Sequence, residues 1–376
     1  MAESRAVRGP VAFFFLGETL LIPHLYPVVE ELAKQPDLTI DLWVSTSVHE
    51  ELLRGWSADL GPARLRIRRA PGFRNLPDYH DGRNPPWRDK SLPLIALLPF
   101  LFRTPVAVVA EQTSLWIPTL LPWLRTRFIK LAHGSGTLMA RGDKRRRSAW
   151  RMPVPSEAEQ QQYLKLGFDP AYVPVVGSVK PCFRQRRHLR LPFPMQRPVV
   201  LYNPHWQRHR SSWWDWGRNI VQQLVAQDLY NVILAPHQRL AEGDPELPRI
   251  LAEAARHPHV HSDLDSFAMV DGSYTAAADI YLGDTSSQVI EFLARPRPCV
   301  FLNNKHENWQ TRQDYVMWRA GEVMDSREDL LPALSRATHG HARFVPAQQQ
   351  LAREWLGETE GAPARVVTHI LEALAR

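Results

Sequence analysis

Two histidines in the sequence each follow a segment with the pattern of a buried strand. His133 comes after "RFIKLA" and opens the turn His-Gly-Ser-Gly, and His237 ends "NVILAP". Imidazole suits proton transfer near neutral pH, because its ordinary pKa is about 6.5. Gly134 and Ser135 would leave room for a substrate against the backbone. Each histidine is therefore a candidate catalytic or phosphate-holding group, and a loop histidine that only stabilises its turn is the alternative.

A third candidate site is the turn in "YLGDTSSQVIEF", where a predicted strand ends and a predicted helix begins. The turn contains Gly283, Asp284, Thr285, Ser286, Ser287 and Gln288. Free N–H groups at a helix start bind phosphate, and neighbouring hydroxyls add donors. Plain N-capping explains one such hydroxyl, but three exceed what a cap needs. The turn therefore predicts a phosphate site.

An aromatic and basic segment, "YNPHWQRHRSSWWDW", follows another predicted strand. Asn203, His205 and Trp206 stand at its start, where they could contact a nucleotide or a substrate ring. Aromatic packing between domains is the alternative. The alternation in "HPHVH" would place three histidines on one strand face, but no cysteine or suitable carboxylate accompanies them, so we predict no metal site.

The elements that would position these residues alternate between strand and helix along the whole chain. We predict a Rossmann-like domain over residues 1–180, a linker rich in arginine and proline over 181–197, and a second Rossmann-like domain with a C-terminal helix over 198–376. Such doubly wound parallel sheets bind ligands at the carboxyl ends of their strands. The predicted fold class is α/β, with two such domains facing each other across a cleft.

Composition, charge and apolar segments exclude several classes of protein. The chain has 376 residues, a net charge of +7 and two cysteines, so we expect a soluble protein in a reducing compartment without a disulfide framework. Clustered arginines favour an anionic partner or a solvated face, but no nucleic-acid-binding motif accompanies them. The apolar segment 92–124 is interrupted by charges and prolines, which favours buried core over a membrane span. A peripheral membrane contact through this segment is the alternative.

The order of these motifs resembles that of the CDP-glycerol glycerophosphotransferase family, the teichoic-acid and capsule-type polyol-phosphate transferases of bacteria. The matching segments, spread over about residues 127 to 303, are "KLAHGSG", "VPSEAEQQQYLKLGF", "VPVVGSVKPCF", "YNPHWQ", "VILAPHQ", "ADIYLGDTSSQVIEF" and "RPCVFLN". The resemblance implies a GT-B fold with an acceptor-side first domain and a nucleotide-binding second domain. It also implies a cytoplasmic enzyme of cell-envelope synthesis and leaves open whether the enzyme associates with the inner face of the cell membrane.

On this resemblance, an acceptor hydroxyl attacks the β-phosphate of a CDP-polyol and CMP leaves. His133 corresponds to the family's general base, and His237 corresponds to its second histidine, which contacts donor phosphate. Asp284, Ser286 and Ser287 fall on the family's signature at the donor phosphates. The implied partners are a CDP-polyol or another nucleotide-activated donor and an anionic or lipid-linked glycan acceptor, and no cofactor is implied.

The chain also departs from the family pattern. After His-Gly the family continues with a small residue, proline and lysine, whereas here Ser135 is followed by Gly-Thr-Leu. His205 replaces a usual threonine and Gln238 a usual proline. Two alternatives therefore stay open at this point. One is a nucleotide-sugar glycosyltransferase or an enzyme like the UDP-N-acetylglucosamine 2-epimerases, and the other is a catalytically idle GT-B binding protein.

Overall fold

The computed structural model describes residues 9–58, 60–80, 82–86, 88–132, 142–184 and 189–376. His133, Gly134 and Ser135 lie outside these residues. The chain divides into two compact units. Unit 1 comprises residues 1–186 and 354–376, and unit 2 comprises residues 187–353.

Unit 1 contains a five-stranded parallel sheet with the strand order β3-β2-β1-β4-β5. Its strands are β1 (Pro10–Phe15), β2 (Thr39–Thr46), β3 (Arg64–Arg74), β4 (Val106–Val109) and β5 (Arg127–Lys130). The central strands are continuous apolar runs because helices cover both faces of a parallel sheet. These strands confirm the parallel sheet that the sequence predicts for the first domain.

Unit 1 also contains helices. They are α1 (Ile22–Leu32), α2 (Ser47–Ser57), α3 (Ser91–Ala96), α4 (Leu98–Leu101), α5 (Trp116–Leu120), α6 (Lys144–Arg147), α7 (Glu157–Lys165) and α15 (Ala362–Ala375). Of these, α1, α2 and α15 lie in segments with the apolar spacing of a helix. Ser156 is the N-cap of α7, since its hydroxyl accepts a hydrogen bond from the Glu159 N–H at 3.2 Å.

The last helix differs from the expected domain division. The chain was expected to stay in the second domain to residue 376, but α15 packs on α1 in unit 1. The reason is the apolar face of α15, on which Val366 and Ile370 are fully buried or nearly so. The guanidinium of Arg365 adds a hydrogen bond to the carbonyl of Val176 at 2.8 Å. The structure therefore assigns this helix to the first sheet.

One predicted strand is absent from the part of the chain that the structure describes. The apolar, β-branched sequence "YVPVVGSVKP" predicts a short strand, but in the structure it makes only an isolated bridge between Val175 and Val154. Pro174 lacks an N–H group and therefore cannot donate to a ladder. Only its carbonyl pairs, with the Val154 N–H at 2.9 Å. The prediction of a strand at this position was wrong.

Segment 92–124 is only partly the buried core that its composition predicts. Strand β4 is completely buried. In contrast, α3, α5 and the turns beside them expose large apolar side chains, including Leu92, Leu120 and Trp123. Within the described ranges, no helix is long and apolar enough to cross a membrane. The segment therefore divides into a core strand and an exposed apolar surface.

Unit 2 contains a six-stranded parallel sheet with the order β11-β10-β9-β6-β7-β8. Its strands are β6 (Val199–Asn203), β7 (Asn231–Leu234), β8 (Val260–Ser262), β9 (Ile280–Gly283), β10 (Cys299–Leu302) and β11 (Glu322–Met324). The chain runs outward from β6 to β8 and then returns to pair β9 with the other side of β6. The strand order thus reverses between β6 and β9, which is where such sheets bind ligands.

Helices cover the sheet of unit 2 on both faces. They are α8 (Arg218–Ala226), α9 (Leu240–Gly243), α10 (Leu247–Ala254), α11 (Ser273–Ala277), α12 (Ser287–Phe292), α13 (Leu330–His339) and α14 (Val345–Leu356). A π-helical turn, Trp213–Gly217, leads directly into α8. Its first residue, Trp213, is buried, and the indole N–H donates to Asp244 at 2.8 Å.

Candidate functional site

The candidate site lies at the carboxyl edge of the unit 2 sheet, where three neighbouring strands end. His205 follows β6, His237 follows β7 and Asp284 follows β9. Because β6 lies between the other two strands, their loops meet above it. The centres of the His205 and His237 rings are 6.0 Å apart. The sequence separates these three residues widely, and the topology brings them together.

Asp284 holds the loop that follows β6. Its carboxylate is 1% exposed and accepts hydrogen bonds from the N–H of His205 at 2.8 Å and from the N–H of Ser212 at 3.0 Å. Burial raises the pKa of Asp284 to about 7, while these backbone donors act in the opposite direction. Both carboxylate oxygen atoms thus accept hydrogen bonds from backbone N–H groups. The carboxylate therefore positions the loop after β6.

The two histidines share an arrangement that fixes their tautomers. The N–H of Gln207 donates to Nδ1 of His205 at 3.1 Å, and the N–H of Arg239 donates to Nδ1 of His237 at 3.2 Å. Since Nδ1 is an acceptor in each ring, the proton of the neutral ring is on Nε2. Both rings therefore present an N–H donor on the side away from their own backbone.

The pKa values of the two rings are low. Burial lowers the pKa of His205 to about 4 and that of His237 to about 3, and neighbouring cationic side chains add to both shifts. At neutral pH both imidazoles are uncharged. A neutral ring whose Nε2 carries the proton can donate a hydrogen bond, but this nitrogen cannot accept a proton. The pair is suited to holding anionic oxygen atoms and not to general-base catalysis.

Trp206 completes a cluster of rings at this edge. Its indole stacks on His205 with a centroid distance of 6.1 Å and an interplanar angle of 23°. The indole lies 6.1 Å from His237, and the guanidinium of Arg239 sits 5.2 Å from the indole centre. The three rings are half-buried. They form an aromatic surface with a positive charge beside it.

The hydroxyl turn after β9 opens α12 as the sequence predicted. Ser286 is the N-cap, and its hydroxyl accepts from the Gln288 N–H at 3.3 Å. The amide of Gln288 donates to the carbonyl of Met269, so this side chain is engaged within the protein. The hydroxyl of Thr285 is buried and makes no hydrogen bond within the described structure. Ser287 is the first helical residue.

Gly283 and Asn203 have structural roles within the unit 2 sheet. The two residues are paired partners at the ends of β9 and β6, and a Cβ at Gly283 would lie 2.7 Å from the Asn203 carbonyl oxygen. The Asn203 amide donates to the Ala235 carbonyl at 2.5 Å. Glycine therefore permits the close approach of the strands, and asparagine ties β6 to the loop after β7. The Asn203 amide is thus engaged within the protein.

The sequence analysis did not identify one cationic side chain at the carboxyl edge of the unit 2 sheet. Lys305 follows β10, the next strand beyond β9, and its ammonium donates to the carbonyl of Arg208 at 2.9 Å. It is close enough to lower the pKa of Asp284. The signal was present, because "CVFLNNK" has the same strand-then-polar pattern as the other site segments. Its relevance depends on the strand order, which places β10 beside β9.

Two histidines, in and just before β8, bond to groups within the protein. His261 Nε2 bonds to the Tyr274 hydroxyl at 2.9 Å, and His259 Nε2 bonds to the Leu224 carbonyl at 3.2 Å. Among residues 9–58, 60–80, 82–86, 88–132, 142–184 and 189–376, no three histidine, cysteine or acidic side chains are grouped so that they could hold a metal ion.

Comparison with solved structures identifies the fold. UDP-GlcNAc 2-epimerase from Neisseria meningitidis, bound to UDP-GlcNAc, aligns with a TM-score of 0.60 over 96% of this chain and all of its own, at 12% identity. The wall teichoic acid polymerase TagF aligns with a TM-score of 0.64 over 98% of this chain and 90% of its own, at 11% identity. The chain has a GT-B fold.

A third GT-B relative is Anabaena HepE in complex with UDP and glucose. It aligns with a TM-score of 0.54 over 97% of this chain and all of its own, at 11% identity. No family model matches the sequence, and no curated protein matches it. These similarities establish the GT-B architecture that the motif order implied.

Proposed function

We propose that this GT-B protein transfers a polyol phosphate from a CDP-activated donor to an acceptor hydroxyl in bacterial cell-surface polymer synthesis. The acceptor oxygen forms a bond to the β-phosphorus of the donor, the bond between that phosphorus and the bridging oxygen breaks, and CMP leaves. The proposed acceptor is an anionic or lipid-linked glycan. Its use would place the enzyme at the inner face of the cell membrane.

The observation that carries this proposal is the pair of uncharged histidines at the carboxyl edge of unit 2. Their Nε2–H groups, the turn at Ser286 and Ser287, and the cations Arg239 and Lys305 surround the reversal point of the sheet. A diphosphate accumulates charge on CMP as the bond breaks. Fixed N–H donors and cations stabilise that charge without rearranging during the reaction.

In this proposal the acceptor proton goes to His133. The assignment comes from the position of this residue after β5 and from the family's His-Gly motif. The tautomers of His205 and His237 support it indirectly, because neither of these rings offers a free nitrogen lone pair as a base. Unit 2 would thus bind the donor and unit 1 would supply the base.

The comparisons support a nucleotide-activated donor and leave two candidate reactions. TagF polymerises wall teichoic acid, which is in keeping with transfer of a polyol phosphate. Other similar structures hold UDP or UDP-GlcNAc, and they favour a UDP-sugar enzyme as the second candidate.

A donor panel separates the two candidates. Calorimetric titration with CDP-glycerol, CDP-ribitol, UDP-GlcNAc and a GDP-sugar is expected to give binding of the CDP-polyols only. CMP should then be released when an oligosaccharide or lipid-linked acceptor is added. Binding restricted to UDP-GlcNAc would transfer the assignment to the second candidate, and binding without turnover of any donor would indicate an idle protein.

Replacing His133 by alanine tests the proposed base. We expect transfer to fall by at least about a thousandfold, since a positioned general base contributes about two to four powers of ten. The Kd of the donor should stay within about twofold, because the donor site is in unit 2. CMP release and donor titration measure the two quantities. Unchanged transfer in His133→Ala would remove this residue from the mechanism.

A further inference from the structure

Unit 1 carries an apolar groove between α3 and α5 on its outer surface. The groove has a volume of about 670 Å³. Its walls are mainly aliphatic and aromatic, and include Leu94, Ile95, Trp116, Ile117 and Leu120. Of these, Ile95, Trp116 and Leu120 remain between 46% and 69% exposed. Water thus contacts a concave surface made largely of hydrocarbon.

A second apolar pair extends this surface. Phe102 follows α4 directly, and Trp123 lies two residues beyond the groove residue Leu121. Their rings stack with centroids 5.9 Å apart, yet both side chains are about 60% exposed. We call the side chains of Ile95, Phe102, Trp116, Leu120 and Trp123 the apolar patch. Exposed apolar clusters of this kind mark surfaces that bind another apolar phase.

Cations border the apolar patch. Arg88 and Lys90 line the groove, and the guanidinium of Arg145 lies 5.1 Å from the Trp116 ring centre. Asp89 also lines the groove and Glu111 is paired with Lys90, whereas the exposed Arg103 and Arg125 lie close in sequence to the patch residues Phe102 and Trp123. The border of the patch is therefore net positive.

We propose that the apolar patch docks unit 1 on an anionic lipid bilayer. Apolar side chains would enter the boundary between headgroups and acyl chains, and the basic border would contact lipid phosphates. Tryptophan suits this depth because its ring is apolar and its N–H is polar. A bilayer fits better than a protein partner does, since the patch combines a hydrocarbon surface with a net positive border.

This proposal names the surface for the membrane contact included in the proposed function, but it does not depend on the reaction. It concerns side chains of unit 1 only. The donor site, with His205 and His237, lies in unit 2. Vesicle binding and CMP release can therefore fail separately, and each failure identifies which proposal is wrong.

Flotation with sized vesicles tests the docking surface. The full chain is expected to float with vesicles of mixed phosphatidylglycerol and phosphatidylcholine, to bind pure phosphatidylcholine much more weakly, and to dissociate as salt shortens the Debye length from about 8 Å at physiological ionic strength. Equal binding to both vesicle types would overturn the anionic-lipid assignment. Absence of binding to either would overturn the docking proposal.

A double variant supplies the decisive comparison. Leu120→Ser with Trp123→Ser removes two exposed side chains and is expected to lower the vesicle partition coefficient by about a hundredfold. The matched control, Met195→Ser with Leu229→Ser, changes two comparably exposed apolar residues of unit 2 and should bind like the wild type. An equal loss in both variants would contradict a specific surface.

Light scattering tests the alternative that a second copy of the chain covers the apolar patch. If the wild type were a dimer in solution and the Leu120→Ser, Trp123→Ser variant a monomer, a second copy of the chain would cover the patch and the bilayer proposal would be wrong. We expect both proteins to have the same mass without lipid. CMP release from the donor in the presence of a water-soluble acceptor should also be unchanged in this variant.

Discussion

Replacing His237 by alanine is expected to lower kcat/KM for the donor by about a hundredfold to a thousandfold, the loss observed when one preorganised donor to a reacting oxyanion is removed. His237 is uncharged and half-buried, and its Nδ1 is already occupied by the Arg239 N–H. Alanine removes the Nε2–H donor and leaves the backbone bond of residue 237 to the Pro204 carbonyl in place. Steady-state rates of CMP release measure the effect.

The control for this prediction is His257→Ala, which changes an exposed histidine of the same unit and should keep full activity. A pH series adds a second readout. Because burial lowers the pKa of His237 to about 3, donor affinity in the wild type should not strengthen steeply as pH falls from about 8 to about 6. An ordinary imidazole, with a pKa of about 6.5, would acquire charge over that interval. A steep rise would contradict a neutral donor.

The second large effect is expected from Asp284→Ala, on stability. The substitution leaves the N–H groups of His205 and Ser212 buried without an acceptor, and each such orphan costs about 1–3 kcal/mol. We expect the free energy of unfolding to fall by about 3 kcal/mol. Asp284→Asn should cost less, because its amide oxygen still accepts. Denaturant titration measures these changes, and the exposed Asp228→Ala should shift stability by less than about 0.5 kcal/mol.

The pH dependence of stability provides a further check on Asp284. Its pKa is about 7 in the folded protein and about 3.9 in the unfolded chain, so the folded state binds the proton more tightly. The protonated Asp284 side chain therefore makes its full contribution to the free energy of unfolding below about pH 4, and this contribution is lost as pH rises through about 7. Asn at position 284 does not titrate. The stability difference between wild type and Asp284→Asn should accordingly shrink from acidic to neutral pH.

Strand ends were the most predictable feature of the site. The segments before His205, His237 and Asp284 are short, β-branched and bounded by proline, asparagine or glycine, and each forms a strand of the unit 2 sheet. A parallel sheet brings the carboxyl ends of its strands to one edge. The sequence therefore predicted that these residues share a site, even though His205 and Asp284 lie far apart along the chain.

The roles of individual side chains at that edge were less predictable. Asp284 was expected at donor phosphates on the family pattern, but its carboxylate faces backbone N–H groups of the loop after β6. The tautomers of the two histidines depend on amides two residues further along, whose direction is set by the turn. Lys305 approaches because β10 pairs with β9. Each of these facts depends on tertiary geometry and not on residue type or spacing.

The connection between the two units has a consequence for folding. All of unit 2 comes from one continuous stretch, residues 187–353, whereas unit 1 is completed only by residues 354–376. Its first strands can pair early in synthesis, but the surface of α1 that receives α15 stays uncovered until the last helix is made. The second unit can therefore fold before the first is finished. Because α14 spans the junction at residue 353, folding of unit 2 also fixes the start of the segment that closes unit 1.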